Sequence, residues 1–121
     1  MTHESLKVIE SQLARGVTFT VAKMSYGRRV ELMRRIRELT RRMEFLEAGD
    51  TPAEKMDAAL LDAEISRLYV TWGLRTVTGL IVDGAEATPE LLAESGPEDL
   101  FSEALAAVRA ETGLSEAERK N

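Results

Sequence analysis

The sequence predicts a mainly α protein of the α+β class, in which about four helices form an antiparallel core beside a small β element. Apolar residues recur at helical spacing through most of residues 25–112. Two short stretches, one near the N-terminus and one near residue 80, instead show the β-branched residues and turn signals typical of strands. The β element is therefore an N-terminal hairpin plus one short strand. A chain of 121 residues has the length of a single domain.

Residues 1–24 are predicted to form the hairpin. Alternation of apolar with polar or small residues indicates strands over residues 5–10 and 17–21, joined by a loop. A short helix from Thr2 to Gly16 is the alternative, because the apolar residues of this stretch also fit helical spacing.

Residues 25–73 are predicted to form two antiparallel helices whose apolar stripes face each other. Ser25 is the expected N-cap of the first helix, and Gly49 is expected to close it in the left-handed conformation. The stripe of this helix consists of Leu32, Ile36, Leu39, Met43 and Leu46, widened by Val30, Met33 and Phe45.

The second helix has a clear start signal, with Thr51 as N-cap, Pro52 at the first helical position and Glu54 completing a capping box. It is expected to run to about Trp72, with Gly73 as its closing residue. Its apolar stripe consists of Leu61, Ile65, Leu68 and Trp72, broadened by Met56, Leu60 and Ala63. The short connection before it predicts an antiparallel return.

Residues 74–87 are predicted to hold the third strand and a turn. The run Val77–Val82 is rich in β-formers and ends at the turn dipeptide Asp83-Gly84. We expect this strand to join the hairpin in one sheet, since a lone strand leaves its backbone groups unpaired. Gly79 within the run indicates a bulge or a close approach.

Residues 88–121 are predicted to contain the C-terminal helices. One helix begins after the Thr88 cap, and another runs over residues 97–112 and is closed by Gly113. Ser115–Glu118 has capping-box spacing for one last turn, and the final three residues are expected to be frayed.

The net charge of −5 is unevenly distributed along the chain. Residues 1–49 hold ten Lys/Arg against six Asp/Glu, whereas residues 50–121 hold six against fifteen. The two halves can attract each other within one chain or between copies, so we expect a homo-oligomer. The acidic half argues against nucleic-acid binding, because it repels phosphate.

One face of the first helix is rich in arginine, and we interpret it as a solvated face, a surface for an acidic protein region or a nucleic-acid patch. Glu31 lies four residues before Arg35, a spacing that favours an ion pair on a solvated face. Tyr69 and Trp72 of the second helix are either interface anchors or core residues whose polar tip reaches a hydrogen-bond partner. The candidate interaction surface comprises Arg28, Arg34, Arg35, Arg41, Arg42, Tyr69 and Trp72.

The residue inventory predicts a protein that is not an enzyme and that uses no cofactor or metal. There is no cysteine, and His3 is the only histidine, so no base is available to activate a hydroxyl nucleophile. No Gly-rich phosphate motif is present. Because neither a signal-peptide pattern nor an apolar run of about 20 residues occurs, we expect a cytoplasmic location and no membrane partner.

Five short stretches spread over most of the chain resemble those of one known family: Val17–Val21, Met24–Arg29, Trp72–Leu74, Gly79–Gly84 and Thr88–Leu92. In these stretches and in the order of its elements, the chain resembles the short tail assembly chaperones of long-tailed bacteriophages. The resemblance implies a non-enzymatic viral protein that escorts the helical tape-measure protein, helps recruit tail-tube subunits and is absent from the finished virion. It also implies a longer product made by ribosomal frameshift, for which Lys120-Asn121 is a compatible site because AAA-AAC encodes it.

Two other functions stay open from the sequence. The first is a structural head–tail or tail-completion protein that remains in the virion. The second is a small regulatory or nucleic-acid-binding protein that uses the arginine-rich helix.

Overall fold

The computed structural model describes residues 1–113, and within them it contains four helices and five strands. In chain order these are β1 (Leu6–Glu10), β2 (Thr18–Ala22), α1 (Tyr26–Glu47), α2 (Pro52–Gly73), β3 (Leu74–Thr78), β4 (Ile81–Val82), β5 (Ala85–Glu86), α3 (Pro89–Ser95) and α4 (Glu98–Thr112). The prediction of a mainly α protein with a small β element is confirmed. The turn predicted at Ser115–Glu118 and the fraying of the last three residues lie outside the described residues.

The described chain divides into two compact units. One unit combines residues 1–24 with residues 69–113, and the other consists of residues 25–68. The last residues of α2, from Tyr69 onward, belong to the first of these units. The single domain expected from the chain length stays a prediction.

The first unit is built on an antiparallel sheet with the strand order β1-β2-β3. The predicted hairpin is therefore confirmed, and the helical alternative for the N-terminus is wrong. Phe19 and Val21 of β2 are fully buried. The carboxylate of Glu103 on α4 fixes the hairpin loop, because it accepts hydrogen bonds from the Ser11 hydroxyl at 2.5 Å and the Gln12 backbone N–H at 2.7 Å.

The third strand joins the sheet as predicted, but it does not extend over residues 77–82. β3 pairs with β2 and stops at Thr78, whereas Ile81–Val82 pairs with Ala85–Glu86 in a separate two-stranded sheet. Gly79 causes the break, because its φ of +81° is a left-handed conformation that a strand does not continue through. A Cβ at this position would overlap the Gly16 carbonyl, so the predicted close approach is confirmed.

The two C-terminal helices begin and end close to the predicted residues. The Thr88 side chain accepts a hydrogen bond from the Leu91 backbone N–H at 3.1 Å and so caps α3. Gly113 closes α4 with a left-handed φ of 62°. The buried residues of these helices are Pro89, Leu92, Leu100, Ala104, Val108 and Thr112.

The second unit is a helical hairpin made of α1 and most of α2. Ser25 caps α1 as predicted, with its side chain accepting from the Arg28 N–H at 3.3 Å. The predicted left-handed closure at Gly49 is wrong: Ala48 is the C-cap, in a right-handed conformation. The carboxylate of Glu54 instead occupies the space that a Cβ at residue 49 would take.

We predict that Gly79→Ala destabilises the fold more than Gly84→Ala, although both glycines have a φ of +81°. The left-handed backbone costs each alanine about 1–2 kcal/mol. Only the Gly79 variant adds a steric overlap, since nothing lies within 4 Å of a Cβ at Gly84. Urea unfolding of both variants should show a loss for Gly79→Ala that is larger by about 1–3 kcal/mol. Equal losses would contradict the close approach to Gly16.

Candidate interaction surface

An open groove of about 650 Å³ lies between the last turns of α1 and the first half of α2. Residues from the end of one helix lie beside residues from the start of the other, so the predicted antiparallel pairing is confirmed within this unit. The groove is lined by Arg41, Arg42, Phe45, Leu46, Asp57, Leu60, Leu61 and Glu64.

The apolar part of this groove is largely exposed. Phe45 has 77% of its surface exposed and Leu60 has 58%. Met56, one turn before Leu60, is exposed as well. All three residues were expected to widen the apolar stripes of the two helices, and within the described residues these three positions are exposed. Each helix carries apolar residues around more than the one face that its neighbour covers, so the surplus faces solvent.

The two sides of the groove carry opposite charges. Arg41 and Arg42 come from α1, and both are exposed, as the sequence analysis expected. Asp57 and Glu64 come from α2. An apolar floor between a basic and an acidic side is a surface on which an amphipathic segment can be held and oriented.

The other predicted arginines do not converge on this groove. Arg34 lines a smaller groove on α1 itself, together with Val30, Met33 and Arg37. Arg35 forms the predicted ion pair with Glu31, at 2.9 Å. Arg28 is half-buried in the first turn of α1, roughly 20 Å along the helix axis from Arg42 at about 1.5 Å per residue.

Tyr69 and Trp72 are not part of an exposed surface. The two residues are 1% and 7% exposed, and both belong to the unit that contains the sheet. The guanidinium of Arg109 lies over the Tyr69 ring, 5.2 Å from its centroid. Their inclusion in the interaction surface is therefore corrected in favour of the core alternative.

Thr40 is a buried residue that the sequence analysis missed. The residue is 1% exposed, whereas the neighbouring Leu39, expected in the stripe, is only half-buried. Among the described residues the Thr40 hydroxyl has no hydrogen-bond partner. Between Ile36 and Met43 the helical stripe can pass through residue 39 or through residue 40, because steps of three and of four residues both stay on one face. Hydropathy alone favours the leucine at position 39.

We predict that Thr40→Val stabilises the protein. Valine has the same shape without the unpaired hydroxyl, so the free energy of unfolding should rise by about 1 kcal/mol. Thr112→Val is the matched control, because that buried hydroxyl donates to the Arg109 carbonyl at 2.8 Å. Thermal or urea unfolding should show a gain only for Thr40→Val. A loss of stability in that variant would mean that the Thr40 hydroxyl is satisfied.

Within residues 1–113, His, Asp and Glu side chains nowhere gather in a group of three or more that could hold a metal ion. No helix in that same range is long and apolar enough to cross a membrane.

Comparison of the chain with protein-family models, curated proteins and solved structures found no match among any of the three.

Proposed function

We propose that the protein is a non-enzymatic tail assembly chaperone of a long-tailed bacteriophage. It acts in the cytoplasm of the bacterial host, binds the tape-measure protein and helps to recruit tail-tube subunits. The single observation that carries this proposal from the molecule itself is the exposed apolar groove of the helical hairpin. The resemblance to the short tail assembly chaperones supplies the identity of the client.

The groove has the size and character that an amphipathic helix requires. Its residues on α2 run from Asp57 to Glu64, which spans roughly 10 Å at about 1.5 Å per residue. That length receives about two turns of a partner helix, whose apolar residues at i, i+3 or i+4 and i+7 fill the floor. Phe45 and Leu60 are the natural anchors, because large exposed side chains gain most from being covered.

The charged sides of the groove give the client an orientation. Acidic residues of a bound helix would face Arg41 and Arg42, and basic residues would face Asp57 and Glu64. The same arrangement argues against nucleic acid as the ligand. Phosphates attracted to the arginines would meet two carboxylates on the opposite side of the same groove.

We predict that Leu60→Glu weakens binding of the tape-measure protein by about tenfold or more, since truncating or charging an apolar anchor costs at least about 1–2 kcal/mol. Binding is measured by fluorescence anisotropy with labelled helical fragments of the tape-measure protein from the same gene region. Leu13→Glu is the matched control, because Leu13 is 60% exposed but lies in the hairpin loop. Both variants should unfold within about 0.5 kcal/mol of the natural chain.

Two results would contradict the proposal. Failure of the natural chain to bind any tape-measure fragment would exclude the tape-measure protein as the client. Equal binding by Leu60→Glu and the natural chain would exclude the groove as the binding site. Detection of the protein in purified virions by immunoblot would favour the structural virion role instead, because a chaperone leaves the particle.

A further inference from the structure

The strand β1 forms a free edge of the three-stranded sheet. It pairs only with β2, and no other strand among residues 1–113 lies along its outer side. An edge strand presents a row of backbone N–H and C=O groups that another strand can pair with.

The hydrogen bonds that flank β1 show which of its residues point outward. The Lys23 N–H donates to the Ser5 carbonyl at 2.8 Å, and the Ser11 N–H donates to the Val17 carbonyl at 2.9 Å. Backbone direction alternates along an antiparallel strand, so odd-numbered residues of β1 bond to β2. The N–H and C=O groups of Leu6, Val8 and Glu10 therefore point away from the sheet.

The side chains of β1 do not shield these outward backbone groups from a second strand. Leu6 and Val8 are 44% and 66% exposed, which makes them the apolar part of the edge. Lysine often protects an edge strand from pairing, but Lys7 projects to the opposite face. There its ammonium lies 3.9 Å from the carboxylate of Glu111 on α4.

We propose that a second copy of this chain occupies this edge, so that two β1 strands pair antiparallel about a two-fold axis at Val8. Val8 of one copy then lies opposite Val8 of the other, and Leu6 lies opposite Glu10 at both ends. Every outward N–H and C=O group of the strand gains a partner in this register. The product is a continuous six-stranded sheet.

Charge and strand length together select this register among the symmetric ones. A two-fold axis at Lys7 places two ammonium groups opposite each other, and an axis at Glu10 does the same with two carboxylates. The axis at Val8 avoids both pairs and uses the full length of β1. On the outer face it brings the two Val8 side chains together with Leu6 as a diagonal neighbour. A second copy fits the edge because the strand is complementary to itself.

Sedimentation velocity over a range of protein concentrations tests the proposal. The natural chain should sediment as a dimer, at twice its mass of 13.4 kDa. Val8→Lys should be monomeric at concentrations where the natural chain is dimeric, because two lysines then face each other at the axis. Thr76→Lys is the matched control, since it adds the same charge to an exposed residue of β3 and should leave the dimer intact.

A crosslinking test keeps the proposal open to refutation even if Val8→Lys fails to fold. The chain has no cysteine, so Val8→Cys and Thr76→Cys each carry a single thiol. A short bismaleimide should join two chains of Val8→Cys rapidly. It should not join Thr76→Cys, whose thiols lie roughly 24 Å apart across five strand spacings of about 4.8 Å. A monomeric natural chain, a dimer unchanged by Val8→Lys, or crosslinking at residue 76 alone would overturn the proposal.

Discussion

The turn between α1 and α2 is the constraint on which the helical unit depends. The Thr51 hydroxyl accepts from the Glu54 N–H at 3.1 Å, and the Glu54 carboxylate accepts in return from the Thr51 N–H at 3.3 Å. The Lys55 ammonium adds a hydrogen bond to the Glu47 carbonyl. Gly49 makes room for the Glu54 carboxylate beside the chain. Because so few residues join the helices, the end of α1 must lie beside the start of α2, and the groove forms there.

The same turn brings a basic and an acidic part of the sequence into one helical hairpin. The basic helix α1 carries seven arginines and four glutamates, whereas α2 carries four acidic and two basic residues. Both helices lie in one hairpin, so part of the attraction between the chain halves is met inside a single copy. The free edge of β1 offers a separate reason for copies to associate, which depends on backbone hydrogen bonds and apolar contact.

The dimer and the groove would reinforce each other in a chaperone. A dimer carries two grooves, and a long helical client offers many binding segments along one chain. Once one groove is occupied, the second binds at a high effective concentration. Under the proposed function, individually weak grooves would then hold a client firmly and still release it stepwise when tail-tube subunits arrive.

Local chemistry in the sequence predicted most element boundaries. The capping box at Thr51 and Glu54, the Thr88 cap and the Asp83-Gly84 turn each depend on residues within three positions of one another, and all three form as predicted. The sequence was less informative about which apolar residues are covered. Thr40 rather than Leu39 is buried, and Leu60 is exposed, because the facing helix decides which side of a broad apolar surface is packed. The groove therefore became visible only in three dimensions.

The most direct test of the central claim is an NMR titration of the methyl-labelled protein with a helical tape-measure fragment. If the groove of the hairpin receives the client, the methyl signals of Leu46, Leu60 and Leu61 should shift most. The methyl signals of Leu13 in the hairpin loop should not shift. Shifts that avoid the groove, or no shift at fragment concentrations that saturate binding in the anisotropy assay, would contradict it.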